Sequence, residues 1–159
     1  PLYQHALDLI LKEYDHVIVV SQYDEILQYA SQRGALGILC LESIHGLSYS
    51  IKAAVNYLNT LEKPFRMIFM VADQPYISMN TINKLMHTKH KLASCAYKDK
   101  VGNPTLFDSS YIPELLLLKE DQGGRKVLNK HPDEVEYIQV ENIRELYDID
   151  YQEDLKQLQ

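Results

Sequence analysis

The stretch FRMIFMVADQP, residues 65–75, joins a long apolar run to a carboxylate. Positions 65–72 are apolar apart from Arg66, and a run of this kind is typical of a buried strand. The run stops at Asp73, which is followed by a glutamine and a proline. In α/β proteins, ligands bind at the carboxyl ends of strands. The stretch therefore predicts a strand whose end carries a candidate functional carboxylate.

Helical and strand-like patterns alternate on both sides of this stretch. Helices are predicted where apolar residues recur three and four positions apart, and strands where short β-branched or alternating runs occur. The predicted helices are residues 2–14, 23–32, 50–61, 78–90, 111–118, 125–131 and 152–158, and the other predicted strands are residues 16–20, 35–41, 92–97, 104–107 and 135–140. The alternation predicts one α/β domain over residues 1–159, a layer sandwich with a mostly parallel, mixed sheet.

Composition and charge exclude several classes of function. The chain has 16 Lys and Arg residues against 22 Asp and Glu residues, a net charge of −6, and the basic residues are scattered. We therefore expect no nucleic-acid partner. No apolar run approaches the ~20 residues that span a bilayer, and the first residues carry no export signal, so we expect no membrane partner. Cys40 and Cys95 lie in apolar segments and predict buried thiols in a reducing, cytoplasmic setting.

Asp73 is the first candidate functional residue. An acidic side chain at the end of a strand suits a hard cation such as Mg²⁺, which takes oxygen ligands and bridges the phosphates of a nucleotide. The alternative is that Asp73 only begins a turn before Pro75, since both residues are common turn formers. Residue type alone leaves both interpretations open.

The loop at residues 45–50 is the second candidate. It leads from a predicted strand into a helix, contains Gly46, Ser48 and Ser50, and is followed by Lys52 in the first turn of the helix. Small residues let backbone amides approach a ligand, and a helix N-terminus with a lysine attracts a phosphate. The alternative is a serine-rich helix cap without a ligand.

Asp148 and Asp150 are the third candidate, just before the last predicted helix. Side chains at positions i and i+2 of an extended segment point to the same side. One carboxylate can therefore bind a metal ion while the other caps the helix or orients its neighbour. The alternative is that both only cap the helix.

These motifs, with two more between them, resemble in order and spacing the molybdenum cofactor cytidylyltransferase family, also called MobA-like NTP transferases. The resemblance covers essentially the whole chain, and its specificity lies in the ordered set, because each motif alone is weak. The motifs are Gly46-Leu47-Ser48-Tyr49-Ser50-Ile51-Lys52, Asp73-Gln74-Pro75, Gly102-Asn103-Pro104 followed by Phe107, Asp121-Gln122-Gly123, and Asp148-Ile149-Asp150 followed by Glu153-Asp154-Leu155.

The resemblance implies a Rossmann-like three-layer sandwich of the nucleotide-diphospho-sugar transferase type. It also implies a reaction in which a phosphate of a pterin cofactor attacks the α-phosphate of a nucleoside triphosphate and pyrophosphate is released. Asp73 and Asp150 map to the metal positions of the family, so they are the expected catalytic residues, with Mg²⁺ as the cofactor. The ion is expected to neutralise the repulsion between the two anionic substrates.

The remaining motifs are expected to contact the substrates. The expected nucleotide-binding residues are Gly46, Ser48, Ser50 and Lys52, and the expected acceptor-binding residues are Gly102, Asn103, Pro104, Asp121, Gln122 and Gly123. The implied partners are a nucleoside triphosphate, with CTP preferred to GTP, and the phosphorylated pterin. A molybdoenzyme or its chaperone is a further implied partner.

Two alternative functions stay open. A nucleotidylyltransferase for a sugar phosphate or a terpenoid precursor would share the fold and both aspartates but accept a different phosphate. A noncatalytic binding or regulatory domain would keep only the fold. Retention of Asp73 and Asp150 argues against this second alternative, whereas the lack of a phosphate-binding loop argues for it.

The sequence departs from the family pattern in two places. Asn103 stands where many relatives carry a histidine, which leaves the identity of the acceptor in question. The family's N-terminal strand and its glycine-rich loop with Arg and Lys are not found before Pro1, so we expect an N-terminally incomplete domain. The expected outcomes are a chain that continues upstream of Pro1, a rearranged sheet, or a partner that fills the gap.

Overall fold

The computed structural model describes residues 1–149, in which helices and strands alternate. The helices are α1 (Leu2–Ile10), α2 (Asp24–Gln32), α3 (Leu47–Leu58), α4 (Met79–Met86), α5 (Ile112–Leu115) and α6 (Arg125–Lys130), and the strands are β1 (Ile18–Ser21), β2 (Leu36–Leu39), β3 (Arg66–Phe69), β4 (Leu92–Tyr97), β5 (Lys100–Asp108) and β6 (Val135–Gln139). Short 3-10 helices cover Leu41–His45, Ser109–Tyr111, Pro132–Glu134 and Ile143–Leu146. No helix within residues 1–149 is both long and apolar enough to cross a membrane. The predicted helix 152–158 lies outside the described residues.

The strands of residues 1–149 form two sheets. β1 pairs with β2 in parallel, and the other four strands form a sheet in the order β3-β5-β4-β6. In the larger sheet, β5 is antiparallel to both neighbours and β4 is parallel to β6. β5 is antiparallel because the tight turn after Tyr97 returns the chain directly beside β4. The predicted α/β class with mixed pairing is confirmed, and the pairing is divided between two sheets.

The main core lies on one face of the four-stranded sheet. Leu92 of β4 and Phe107 of β5 are opposite each other and fully buried, and they belong to one cluster with Val55 of α3 and Leu115 of α5. A second cluster contains Leu85 of α4 and residues of β4, β5 and β6 that alternate with those of the first cluster. Helices therefore cover both faces of this sheet, which gives the expected three layers.

Strand β2 is less buried than its sequence predicted. The apolar run at residues 35–41 predicted a strand covered on both faces, but β2 pairs only with β1 among the described strands. Leu36 and Leu39 are exposed, Leu39 by 53%. A short apolar run does not reveal how many neighbours a strand has, and those neighbours decide its burial.

Three helices are clearly shorter than predicted, and the first of them, predicted at residues 2–14, ends at Ile10. The helix predicted at residues 78–90 begins correctly, with the Ser78 hydroxyl accepting the Thr81 N–H at 3.2 Å, but α4 ends at Met86. The helix predicted at residues 111–118 is split into a 3-10 turn and the single turn of α5. Short amphipathic segments carry little helical preference of their own, so packing against the sheet decides where they end.

Candidate active site

A cleft of about 600 Å³ opens at one edge of the four-stranded sheet. Its walls come from the turn after β3, the start of β5, the loop before α6 and the chain after β6. β3, β4 and β6 run in the same direction, because β3 and β4 are both antiparallel to β5 and β6 is parallel to β4. The cleft therefore lies at the carboxyl ends of these strands, where ligands of open α/β sheets bind.

Hydrogen bonds join the turn after β3 to the chain after β6. The Ile149 N–H donates to the carbonyl oxygen of Asp73 at 2.8 Å, and the side-chain amide of Gln74 donates to the carbonyl oxygen of Leu146 at 3.4 Å. Asp148 lies next to the first of these bonds and lines the cleft. Two acidic motifs that are far apart in the sequence are thus side by side.

A bulge between β4 and β5 shapes another wall of the cleft. The pairing register shifts between Ser94 and Cys95, which leaves Asn103 and Pro104 of β5 without partners on β4. Asn103 and the preceding Gly102 line the cleft, whereas Pro104 is fully buried. Bulges commonly redirect side chains beside active sites. The bulge therefore explains why a strand residue such as Asn103 is available to a ligand.

Arg125, the first residue of α6, reaches the same wall. Its guanidinium donates to the Ser94 hydroxyl at 2.9 Å and to the carbonyl oxygen of Gly102 at 3.1 Å, and both acceptors are uncharged. Burial lowers the pKa of Arg125 below its usual value, but a guanidinium stays charged at neutral pH. A guanidinium has more N–H donors than these two bonds use. Arg125 therefore brings a fixed positive charge to the cleft.

Lys100 and Arg144 add two more cations to the lining. The Arg144 guanidinium lies 4.4 Å from the centre of the Tyr76 ring and donates to the Tyr76 hydroxyl at 3.0 Å, and the Lys100 Nζ lies 5.4 Å from the centre of the Tyr147 ring. Contact with a ring holds a cation in place without neutralising it. Within residues 1–149, neither these cations nor Arg125 forms an ion pair with a carboxylate. The cleft is therefore suited to an anionic ligand.

The predicted nucleotide-binding loop packs against the loop before α6. Gly46 has a φ of 143°, and a Cβ at this position would lie 2.3 Å from the carbonyl oxygen of Glu120, so only glycine fits. The Ser48 N–H donates to the same oxygen at 3.0 Å. The Ser48 hydroxyl is buried and has no hydrogen-bond partner among residues 1–149. Leu47, between them, lines the cleft and links the two loops to it.

Other predicted site residues lie outside the lining of the cleft. The predicted loop at residues 45–50 is shorter than expected, because α3 begins at Leu47 and includes Ser48 and Ser50. The Ser50 hydroxyl is 2.7 Å from a serine hydroxyl of the 3-10 helix Leu41–His45, and Lys52 is half-buried on α3. The Gln122 side chain accepts a backbone N–H from three residues earlier at 2.9 Å, and Asp121 is exposed. From this second loop, Gly123 lines the cleft. The structure thus brings together only part of the predicted set.

The sequence matches the family model of the MobA-like NTP transferase domain over residues 1–135. The chain belongs to the MobA-like NTP transferase family. The match includes Asp73 and both of the loops that meet at Gly46, and it ends before the chain that follows β6. The place of Asp148 in the site therefore rests on the hydrogen bonds described above. No curated protein matches the sequence.

Solved structures share the fold of this MobA-like chain. Rv0371c from Mycobacterium tuberculosis has a TM-score of 0.80 and 19% identity, with coverage of 99% of this chain and 82% of that one, and it has also been crystallised as a complex with manganese. A 4-diphosphocytidyl-2C-methyl-D-erythritol synthase from Anaerococcus prevotii has a TM-score of 0.70, 17% identity and coverage of 98% and 82%. Molybdopterin-guanine dinucleotide biosynthesis protein A from Archaeoglobus fulgidus has a TM-score of 0.62, 19% identity and coverage of 95% and 82%. The predicted nucleotide-diphospho-sugar transferase type of fold is confirmed.

A divalent metal ion is implied by the family, and the donor set is compatible with one. Mg²⁺ is usually held by one or two carboxylates together with substrate phosphates. The bond from Ile149 to Asp73 places the Asp148 segment beside Asp73, and carboxylate oxygens are the ligands that a hard cation prefers. Within residues 1–149, no three His, Cys, Asp or Glu side chains form a complete metal site. Asp150, the other predicted ligand, lies outside the described residues.

The cations of the cleft were not predicted from the sequence. Arg125 follows the Asp121-Gln122-Gly123 motif with one glycine between them, and Arg144 lies four residues before Asp148. Their closeness to predicted motifs is the feature of the sequence that could have identified both arginines as site residues. Lys100 carries no such signal, because only the turn between β4 and β5 brings it to the cleft.

Proposed function

We propose that this MobA-like chain is a nucleotidyltransferase that transfers CMP from CTP to a phosphorylated pterin, the molybdenum cofactor, and releases pyrophosphate. One observation carries the proposal: the Asp73 turn and the Asp148 segment meet a wall with three cations that have no carboxylate partner within residues 1–149. Both substrates are phosphorylated, so their site needs carboxylates for a metal ion and cations for phosphate groups.

The proposed reaction needs little proton transfer. An oxygen of the acceptor phosphate bonds to the α-phosphorus of CTP, the bond from that phosphorus to the bridging oxygen of the β-phosphate breaks, and pyrophosphate leaves with the electron pair. Asp73 and Asp150 are the proposed holders of Mg²⁺, with Asp148 beside them. The ion, when bound, supplies charge neutralisation. Arg125 and Lys100 are proposed to orient the anionic groups for in-line displacement.

The proposed nucleotide side of the site is Gly46 and the start of α3, which contains Ser48 and Ser50, with Lys52 in the second turn of the helix as an attractive charge. The packing of Gly46 and Ser48 against the backbone of Glu120 supports this role, because it holds Leu47 in the lining of the cleft beside the loop before α6.

The proposed acceptor side comprises the bulge and the loop before α6. Its predicted members are Gly102, Asn103, Pro104, Asp121, Gln122 and Gly123. The rings of Tyr76 and Tyr147 in the lining offer flat apolar surfaces that suit a heterocycle. A molybdoenzyme or its chaperone is the proposed recipient of the product.

Acceptor preference tests the proposal. The purified full-length protein is incubated with Mg²⁺, each common nucleoside triphosphate and one acceptor from each class: a phosphorylated pterin, a sugar phosphate and a terpenoid-precursor phosphate. We expect pyrophosphate release and a joined product with the pterin, fastest with CTP. A product with only one of the other acceptors would instead identify a different nucleotidylyltransferase. Nucleotide binding without turnover on any acceptor would identify a noncatalytic domain.

A further inference from the structure

Glu145 is a buried carboxylate that lies outside all the predicted motifs. It belongs to the 3-10 helix Ile143–Leu146 and is 7% exposed. Its Oε1 accepts hydrogen bonds from the Ser78 N–H at 3.0 Å, the Ser78 hydroxyl at 2.8 Å and the Thr81 hydroxyl at 2.7 Å. A buried carboxylate is costly unless such donors replace its water. These bonds therefore specify where Glu145 lies.

The charge of Glu145 suits its position at the start of α4. Ser78 is the N-cap of this helix, where N–H groups lack helical partners and the helix dipole is positive. Within residues 1–149, no Lys or Arg forms an ion pair with Glu145. The start of α4 therefore provides the main stabilising partners of this carboxylate.

The residues that directly follow Glu145 contact the Asp73 turn. Leu146 accepts the Gln74 side-chain amide at 3.4 Å, and the Ile149 N–H donates to Asp73 at 2.8 Å. The region from the Asp73 turn to the first turn of α4 thus holds the chain after β6 at several places, which also include the bond from Arg144 to the Tyr76 hydroxyl. Glu145 supplies the buried carboxylate among these attachments, with three hydrogen bonds to one oxygen.

We infer that Glu145 is a positioning residue for the second acidic motif. Its bonds to the start of α4 fix residues 146–149, and with them Asp148 and the backbone that leads to Asp150, beside Asp73. Glu145 does not line the cleft, so it acts through this segment and not on a substrate. The role of the acidic motif rests on the proposed function, whereas the positioning of its backbone does not.

Hydrogen exchange tests the positioning directly. Glu145→Gln keeps the size of the side chain but removes its charge and presents an NH₂ group to donors. The matched control is Glu141→Gln, because Glu141 is exposed and accepts a 3.4 Å hydrogen bond from Asn80, also on α4. We expect the Ile149 amide to exchange about threefold to tenfold faster in Glu145→Gln, as for the loss of one hydrogen bond, and at the wild-type rate in Glu141→Gln. Unchanged protection in Glu145→Gln overturns the inference.

Metal binding tests the link from Glu145 to the acidic motif. Mn²⁺ alone is titrated into each variant, and we expect its dissociation constant to rise about tenfold in Glu145→Gln, as for residues that orient metal ligands. Faster exchange at Ile149 with unchanged Mn²⁺ binding would overturn this link. If the wild-type chain transfers nucleotides to no acceptor but the exchange result holds, the positioning stands and the proposed function fails.

A milder variant covers the case in which Glu145→Gln does not fold. Thr81→Val removes one donor to Glu145, keeps the shape of the side chain and leaves the carboxylate in place. We expect a smaller acceleration of Ile149 exchange than in Glu145→Gln, with a thermal midpoint lowered by only a few degrees. No acceleration in this folded variant would also overturn the inference.

Discussion

At the scale of single residues, the charges of the proposed site are held in two different ways. The Asp73 main chain accepts the hydrogen bond from Ile149 in the turn after β3, which places Asp73 beside the Asp148 segment although Asp73 itself does not line the cleft. The side chain of Arg125 is held by hydrogen bonds to two neutral acceptors. Within residues 1–149 its charge has no carboxylate partner. Substitutions of these residues should therefore affect different steps of the reaction.

Replacing Asp73 by Asn removes the charge and keeps the shape. We expect turnover to fall at least about a hundredfold at saturating Mg²⁺, because electrostatic contacts with charge that develops in a transition state have about this effect. The measurement is steady-state pyrophosphate release. Asp133→Asn, which removes an exposed carboxylate in Pro132–Glu134, is the control and should have wild-type turnover. Wild-type turnover in Asp73→Asn would exclude its catalytic role.

Replacing Arg125 by Lys keeps the charge and loses the planar group. Arg125 uses two nitrogens for Ser94 and Gly102, whereas a lysine has a single, shorter-reaching nitrogen that cannot reproduce both contacts in the same geometry. We therefore expect the KM for the acceptor to rise about tenfold and the KM for CTP to stay constant. Initial rates across both substrate concentrations give the two constants. Lys126→Gln changes an exposed neighbouring cation and should alter neither constant. An effect on the KM for CTP alone would assign Arg125 to the nucleotide.

At the scale of elements, the loop before α3 and the loop before α6 behave as one unit. Gly46 and Ser48 contact the backbone of Glu120, and Gly123 lies so close to Leu47 that a Cβ would be 2.8 Å from its Cδ2. The loop proposed for the nucleotide and the loop proposed for the acceptor are therefore in direct contact. A change that separates them should weaken binding of both substrates.

Gly46→Ala tests this contact between the loops. Gly34→Ala is the matched control, because Gly34 also has positive φ, at 89°, but no atom within 4 Å of an added Cβ. We expect a loss of about 1–2 kcal/mol in the unfolding free energy for Gly34→Ala, from backbone strain alone. For Gly46→Ala we expect at least about 3 kcal/mol, because strain and a backbone clash combine. Urea unfolding measures the free energy of unfolding of both variants. Equal losses would show that the backbone at Glu120 shifts at little cost to make room for the added Cβ.

At the scale of the whole molecule, the two sheets differ in burial. Four strands have helices on both faces and contain the fully buried Leu92 and Phe107. The β1-β2 pair is packed with α1 and α2 in a separate, smaller cluster, and its outer strand exposes Leu36 and Leu39. Two-stranded sheets have little stability of their own in water. The two parts should therefore open with different free energies.

Hydrogen exchange across the chain measures this difference. We expect the amides of β1 and β2 to exchange through an opening that costs at least about 2 kcal/mol less than the opening that exposes β4. Low concentrations of urea should accelerate the β4 amides strongly and the β1-β2 amides weakly, because local opening exposes less surface. Equal free energies and equal urea dependence would show one cooperative unit.

The sequence by itself determined the type of fold and the location of several features. Hydrophobic periodicity predicted the order of helices and strands through residue 149, because alternation and helical spacing reflect local backbone geometry. Ser78 was correctly predicted as a cap, and Cys40 and Cys95 are buried as expected, with burial raising the pKa of the Cys95 thiol to about 12. The ordered motifs also identified the family. Each of these features depends on residues that are close in sequence or on their order.

The tertiary structure alone decided which charged groups share the cleft and which strands have neighbours. Lys100, Arg125 and Arg144 meet because β5 turns back beside β4 and because the chain after β6 bonds to the Asp73 turn. β2 is exposed because it pairs only with β1 among the described strands, which its own apolar sequence does not reveal. Local sequence patterns do not predict such long-range pairings. An apolar run looks the same in a buried and in an exposed strand, and a lone arginine looks the same inside and outside a cleft.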